Sequence, residues 1–476
     1  MKRSMSKKVD VYIIVFFGIF AIMTMFVCLY QVNLEAKKML FILPLGYVIA
    51  SIVFCCNYSN LVDNVPKLII ISLYFVRLVV LPFLYTFNID IQLFEGKSSV
   101  SSHFTQACIL MTYEYFIVQL SIYCYEHWKR QKRFIFSNIT LEVDISKILI
   151  GFISLYVIAI AVFLPQYASN FKTIFELDNA DFTVASVGAE YSVGTFGRVL
   201  KTLFSMFVQL FRVLFPAMLI SRAFEHNPNS SISTFILAFG CFLQFMFLTS
   251  TFAEAIVACL TVVLFYIKLY PNRRKKTFLF LGCSTLGMVF LYFIVRYLIN
   301  DASSMYSKKN GAIGYATQII NAYFTGVDNV AAMFNVPSGY ESESFCAGVL
   351  GAIPFNSTLF GNHGNKLQHY FNVFNNAYGQ IPPTIGAGYY YFGTIISPII
   401  SGLFVLMSMK YYKAANKEDA SLKYVAHIFC SIVFALGTVM YSPSITLAWY
   451  FSWGIPLLII TYFTGVNKGR KNEKSI

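Results

Sequence analysis

The sequence predicts an all-α polytopic membrane protein with about twelve transmembrane helices, both termini in the cytoplasm and one large folded extracytoplasmic loop. Two supporting observations are compositional: 57% of the 476 residues are hydrophobic and only 12% are charged, about half the charge of an ordinary soluble domain. The third is that the apolar residues form runs long enough to cross a bilayer. These features exclude a soluble nucleotide-binding enzyme, a disulfide-rich secreted domain, a coiled coil and a disordered chain.

Twelve apolar runs are each long enough to form a spanning helix, which needs about 20 residues. Their predicted bounds are 11–32, 39–56, 68–87, 105–125, 145–164, 199–221, 232–249, 251–270, 277–297, 385–407, 424–441 and 444–464. The seventh and eighth runs, and likewise the last two, are separated by very short turns. Twelve is preferred over eleven or thirteen because it gives a coherent distribution of basic residues.

Lysine and arginine residues set the predicted orientation. With the amino terminus inside, 23 of them flank the inner ends of the spans and nine lie outside, although the outer loops are longer. Because positively charged loops stay in the cytoplasm, both termini are predicted to be cytoplasmic. The basic clusters at 126–133 and 271–276 are interpreted as anchors beside the membrane rather than as RNA-binding sites.

Two long outer loops divide the chain into five predicted segments. Residues 1–164 hold spans one to five, 165–198 form a loop, 199–297 hold spans six to nine, 298–384 form the large loop, and 385–476 hold the last three spans and a basic cytoplasmic tail. Ordered loops of such length are usually functional. The large loop mixes aromatic residues, small residues and amphipathic stretches, so we expect it to fold as a cap on the outer face.

Charged residues inside the hydrocarbon region are functional candidates because burying a charge there is costly. Lys201 and Arg212 are eleven residues apart in the sixth span, which places them on one helical face. Arg198 lies close to that face at the outer mouth, and Arg296 ends the ninth span at the same level. This basic stripe suits a ligand with phosphate groups at the membrane boundary, since arginine binds phosphate oxygens through two donors.

The alternative is that these charges are structural. Arg77 in the third span and Glu114 in the fourth are equally well explained by pairing with each other, without a ligand. The same explanation stays open for the basic stripe and for Arg296.

The outer loops supply candidates for acid–base chemistry. His363 and His369 lie in the segment GNHGNKLQHYF, and Glu190 lies in the shorter loop. A side chain of this kind can accept a proton from a sugar hydroxyl, although a loop histidine is more often a surface or capping residue. Tyr378 and Tyr390, near the start of the tenth span, could stack on sugar rings, but tyrosine is common at any membrane interface. Further acidic candidates are Asp301, Asp328, Glu341 and Glu343.

No pattern indicates a metal or another cofactor. Nine of the ten cysteines lie in or beside predicted spans, no Cys/His set has metal-ligand spacing, and the sequence contains no P-loop or dinucleotide-binding motif. A nucleotide-sugar enzyme would normally need a sizeable cytoplasmic domain, and none is predicted. We therefore expect a substrate that is already activated, most simply as a lipid-linked phosphate ester.

Two segments are similar to those of a known family. The segment NAYGQIPPTIGAGYYYFG (376–393) resembles the family's stretch that leads into a late span, and YFTGVDNVAAMF (323–334) is similar to the helix that opens its large loop. With the span count and the unequal outer loops, they resemble the Wzy-type oligosaccharide repeat-unit polymerases of bacterial O-antigen and capsule synthesis. Many relatives carry an arginine where this chain has Ala253 and Glu254, so a basic residue of the stripe would serve instead.

The resemblance implies a glycosyltransferase of the bacterial cytoplasmic membrane that uses no nucleotide sugar, metal or other cofactor. Donor and acceptor would be glycans linked to undecaprenyl pyrophosphate. Flippase and chain-length regulator proteins would be partners, and nucleic acid would not. In the implied roles, the pyrophosphate is bound by Arg296, Arg198, Lys201 and Arg212, the proton of the attacking hydroxyl is accepted by His363, His369 or Glu190, and the sugars are contacted by Tyr378 and Tyr390.

Other functions stay open at this stage. A ligase that transfers finished glycan to another acceptor would share the architecture and much of the chemistry. A flippase or polysaccharide transporter would be expected to show related halves and short loops on both sides, which the 87-residue loop at 298–384 argues against. A non-catalytic assembly partner would need no basic stripe.

Overall fold

The computed structural model describes most of the predicted helical core. The described residues are 2–31, 35–87, 102–128, 151, 153, 155–157, 195–228, 231–246, 252–274, 276–277, 287, 294, 311–356, 366–377 and 380–462. Every regular element in these ranges is a helix, and they contain no strand. The all-α class is confirmed for this part of the chain, whereas the spans predicted at 145–164 and 277–297 lie almost entirely outside it.

The described α-helices are numbered here in chain order. They are α1 (Lys2–Gln31), α2 (Ile42–Val53), α3 (Val65–Phe75), α4 (Leu81–Thr86), α5 (Phe104–Trp128), α6 (Thr195–His226), α7 (Ile232–Met246), α8 (Phe252–Leu269), α9 (Gly311–Tyr323), α10 (Val327–Met333), α11 (Glu341–Gly351), α12 (Lys366–Asn375), α13 (Thr384–Ile396), α14 (Ile399–Lys417), α15 (Leu422–Gly437) and α16 (Pro443–Trp449).

Several of these helices are long and apolar enough to cross a membrane. By length and composition they are Val9–Tyr30, Val65–Thr86, Phe104–His127, Thr202–His226 and Pro443–Tyr462, with the bent pair α13–α14 as a sixth candidate. The described residues therefore form a helical membrane protein, as predicted. The full count of twelve spans and their orientation stay predictions.

Two of the candidate spans contain a π turn, and each π turn is followed by a proline. Val76–Val80 joins α3 to α4 two residues before Pro82, and Tyr450–Gly454 continues α16 two residues before Pro456. Proline has no N–H to donate, and its ring crowds the carbonyl four residues earlier, so the helix widens locally. The first π turn contains Arg77, whose side chain is therefore presented from an irregular part of the helix.

The span predicted over 385–407 is broken in the structure. The chain instead forms α13 and α14, whose axes are bent by 108°. Gly393 has a φ of +74°, a conformation that side-chain-bearing residues rarely adopt. A Cβ at Gly388 would lie 2.0 Å from the carbonyl oxygen of Ser397, so this glycine allows the two segments to approach closely.

The helices pack in two groups joined near α15. Helix α5 contacts α2, α10 and α14, while α14 lies along α15, where Ser408 and Ser431 each donate a hydrogen bond to the other's carbonyl at 2.8 and 2.9 Å. Helices α6, α7 and α8 contact one another, and α8 also contacts α15. Small and hydroxyl side chains permit this close packing between apolar helices.

Contacts between distant residues define the two ends of the bundle. At one end Arg274 binds Asp63 at 2.8 Å, and the Tyr412 hydroxyl donates to the backbone carbonyl of Asp63. These three residues are all assigned to the cytoplasmic side by the basic-residue distribution. At the other end, α9 contacts α4 and α10 contacts α5, so part of the large loop packs against membrane helices.

Candidate functional site

A buried ion pair lies at the centre of the first helical group. Arg77 Nη1 is 2.6 Å from Glu114 Oε2, and both side chains are at most 1% exposed. Ser401 on α14 donates a second hydrogen bond to the same carboxylate at 2.5 Å. The pairing of Arg77 with Glu114, one of the two explanations open from the sequence, is therefore present in the structure, and it joins three helices.

The same arginine holds the turn between α9 and α10 in the large loop. Arg77 Nε donates to the carbonyl of Thr325 at 3.0 Å, and the Thr325 hydroxyl donates to the carbonyl of Val439 at 2.6 Å. Thr325 has a φ of +42°, a strained conformation for a β-branched residue. A Cβ on the next residue, Gly326, would lie 2.0 Å from Asn321 Oδ1, so the turn between α9 and α10 leaves no room for a side chain there.

A second buried cluster joins the loop to α4. The Tyr85 hydroxyl donates to the carboxylate of Asp328 on α10 and lies 3.1 Å from Asn321 Oδ1. Asn321 in turn donates to Asn329 at 2.8 Å. Burial raises the pKa of Asp328, while the charge of Lys37 and the Tyr85 hydrogen bond oppose that rise. We call the contacts of Arg77 and Tyr85 with residues 321–329 the cap junction.

Arg212, predicted to bind pyrophosphate, lies in a different cluster. It is 6% exposed, and its Nη1 is 3.8 Å from Glu254 Oε2 on α8 and 3.4 Å from Gln209 Oε1. Gln244 on α7 donates to the Arg212 carbonyl at 2.9 Å. Glu254 stands where many members of the resembled family carry an arginine. In this structure it faces Arg212, one of the basic residues expected to serve in place of that arginine.

For the other residues of the predicted basic stripe, the structure describes only the backbone of Arg198 and Lys201. Arg198 and Lys201 lie in the first two turns of α6, and their side chains are outside the described residues. The helical rise of 1.5 Å per residue separates Lys201 from Arg212 by about 16 Å along the axis. Arg296 lies outside the described residues, so the stripe as a whole stays a prediction.

Of the predicted acid–base and sugar-contacting residues, the structure describes His369 and Tyr390. His369 is exposed on α12, with its ring 6.1 Å from that of Tyr370. Tyr390 is only 7% exposed, and its ring packs 5.7 Å from that of Tyr391, so it is not open to stack on a sugar. His363, Glu190 and Tyr378 lie outside the described residues.

Sequence reasoning identified the charges of the cap junction but not their neutral partners. Arg77 and Glu114 were recognisable as charges inside apolar runs, whereas Tyr85 carried no comparable signal. The Thr-Gly pair at 325–326 was visible only as part of a segment resembling a family motif. In the described part of the chain, no group of three or more histidine, cysteine or acidic side chains is arranged to hold a metal ion.

Comparison of the chain with models of protein families, with curated proteins and with solved structures found no match.

Proposed function

We propose that the protein is a membrane glycosyltransferase that polymerises oligosaccharide repeat units linked to undecaprenyl pyrophosphate, on the outer face of the bacterial cytoplasmic membrane. The observation that carries the proposal is the cap junction, where a turn of the large loop is fixed to membrane helices by buried polar contacts. A loop fixed in this way can position a water-soluble glycan above a lipid-embedded carrier. A loop that only connected two spans would need no such attachment.

The proposed reaction needs two substrates and no external energy source. A hydroxyl of the acceptor repeat unit attacks the anomeric carbon of the donor glycan and forms a new glycosidic bond. The bond between that carbon and the pyrophosphate oxygen breaks, and undecaprenyl pyrophosphate leaves with both electrons of the bond. The proton of the attacking hydroxyl passes to a base in the protein.

The proposed roles of individual residues follow from this charge movement. Arg296, Arg198, Lys201 and Arg212 would bind the pyrophosphate and stabilise the charge that develops as it leaves. His363 or His369, or Glu190, would accept the proton. The exposure of His369 on α12 suits a residue that meets substrate from the aqueous side, and the burial of Arg212 beside Glu254 limits it to a ligand group that enters between helices.

The experiment that tests the function is the length profile of surface glycan in cells lacking the gene. Single repeat units that reach the outside but never lengthen are expected, and restoring the gene should restore long chains. If no repeat unit is exported and lipid-linked units accumulate inside, the protein is a transporter. If long polymer forms but is not transferred to its final acceptor, it is a ligase. Either result overturns the proposal.

Variants restored to those cells test the residue roles. Arg296→Ala and Arg212→Gln should abolish or strongly shorten the polymer, and a double variant His363→Ala/His369→Ala should do the same. Arg222→Gln is a matched control, because Arg222 is an exposed arginine near the other end of α6. Normal polymer in the Arg296 or the double histidine variant would remove the corresponding role, provided that immunoblotting shows the protein in the membrane.

A further inference from the structure

Cap helices α11 and α12 bring together partly exposed aromatic side chains. Tyr340, just before α11, is 49% exposed, and its ring centroid lies 5.6 Å from that of half-buried Tyr370 on α12. The ring planes are inclined at 42°. An ion pair between Glu343 and Lys366 joins the same two helices. The tyrosine pair is therefore held by contacts on both helices while part of its surface stays open.

Two buried hydroxyl groups lie next to this tyrosine pair. Ser344 on α11 is fully buried and Tyr390 on α13 is 7% exposed. The Tyr390 hydroxyl is close enough to Ser344, and to the rings of Tyr340 and Tyr370, for these groups to affect it. Both hydroxyl oxygens are closed to solvent, so a ligand on the exposed face of the tyrosine pair does not reach them.

A charged hydrogen-bond acceptor, the carboxylate of Glu341, lies beside the tyrosine pair. The carboxylate of Glu341 accepts a hydrogen bond from the backbone N–H of Gly339 at 2.9 Å, and this contact lowers the pKa of Glu341. The group is therefore an ionised hydrogen-bond acceptor at neutral pH. It also lies near enough to the Tyr390 hydroxyl to influence it. The surface thus combines flat apolar rings, hydroxyls that can donate or accept, and one anionic acceptor.

We propose that Tyr340, Glu341 and Tyr370 form a glycan-binding site. A sugar ring has an apolar C–H face and an edge of hydroxyl groups, which match the aromatic rings and the polar groups respectively. The ring would contact Tyr340 and Tyr370, and its hydroxyls would meet the Glu341 carboxylate. The site deepens the proposed polymerase function, on which its role in chain growth rests, and it assigns stacking to Tyr340 and Tyr370 instead of the buried ring of Tyr390.

Direct binding to glycans tests the site without depending on catalysis. The full-length protein, reconstituted in nanodiscs, is applied to an array of bacterial oligosaccharides and polysaccharides of defined structure. We expect binding to at least one glycan, and an affinity about tenfold lower for Tyr340→Ala and for Tyr370→Ala. Tyr340→Phe keeps the ring and should bind nearly as well as the unchanged protein. Tyr30→Ala is the matched control, because Tyr30 is an 86% exposed tyrosine at the end of α1.

The results separate this site from the polymerase function. Binding to no glycan, or equal binding by the two alanine variants and the unchanged protein, overturns the site. If the alanine variants lose binding while cells lacking the gene export no repeat unit, the site stands and the polymerase proposal fails. If those cells export unlengthened units while the alanine variants bind normally, the polymerase proposal stands and this site fails. Thermal unfolding in the nanodiscs verifies that each variant is folded.

Discussion

The two helical groups each contain a buried arginine that faces a glutamate, but the two pairs are built differently. Arg77 and Glu114 are in direct contact at 2.6 Å, with Ser401 on the carboxylate and the Thr325 carbonyl on the guanidinium. Arg212 and Glu254 stand 3.8 Å apart, beyond hydrogen-bond distance for those two atoms. The first pair joins membrane helices to the large loop, whereas the second lies between α6 and α8.

The difference shows that a charge in an apolar run does not by itself identify a ligand site. A buried charge must be neutralised by a partner. In the first group the protein supplies that partner and also uses the arginine to fix the loop turn. In the second group the looser geometry leaves the arginine more able to exchange its contact with Glu254 for one with a substrate phosphate, which is the role we propose for it.

The largest expected effect is the loss of stability when the glutamate of each pair is replaced. Glu114→Gln leaves Arg77 charged and buried without a counter-ion, and breaking such a pair typically costs about 3–5 kcal/mol. Glu254→Gln should cost less, about 1–3 kcal/mol, because the pair makes no direct hydrogen bond between its closest charged atoms. Unfolding midpoints in detergent measure both. Equal losses would contradict the distinction between a tight and a loose pair.

The second effect concerns the turn that Arg77 fixes. Gly326→Ala places a Cβ against Asn321 Oδ1 and 2.4 Å from Leu81 Cδ2, and both neighbours are packed at the cap junction. Crowding of this kind typically costs about 1–3 kcal/mol. Gly18→Ala is the matched control, because nothing lies within 4 Å of its Cβ and alanine favours the helix α1. The unfolding midpoint should fall for Gly326→Ala alone. A Gly326→Ala variant as stable as the control would mean that the turn is not tightly packed.

The sequence predicted the helical class and the helices that carry the two arginine–glutamate pairs. It predicted fewer of the contacts between those helices. Composition and run length suffice for a membrane helix, because each helix satisfies its own backbone hydrogen bonds. The Arg77–Glu114 pair could be anticipated since few partners exist for a charge in a bilayer. The contact of Tyr85 with Asp328 joins residues 243 positions apart and depends on how the large loop folds. The bend between α13 and α14 was missed because glycine is also frequent in straight membrane helices.

The smallest expected effect is a dependence of stability on pH, caused by the protonation of Asp328 at the cap junction. Because burial raises the pKa of Asp328 above its ordinary value of 3.8, the folded protein keeps this proton at pH values where the unfolded chain has lost it. The contribution of Asp328 to the free energy of unfolding should therefore be fully present below pH 3.8, and it should be lost as pH rises through the folded pKa. Asp328→Asn, which cannot titrate, should lack this decline. Unfolding midpoints of the two proteins between pH 4 and 8 measure the difference, and parallel curves would contradict it.

Lys37 offers a way to extend that pH dependence. Its charge opposes the rise in the pKa of Asp328, and its Nζ lies 5.6 Å from the centre of the Tyr85 ring. In Lys37→Met the folded pKa of Asp328 should be higher, so the decline in stability should continue to a higher pH. Lys38→Met, at the exposed neighbouring residue, is the matched control. If both methionine variants decline over the same pH range, Lys37 does not act on Asp328, and the charge balance of the cap junction depends on the Tyr85 hydrogen bond alone.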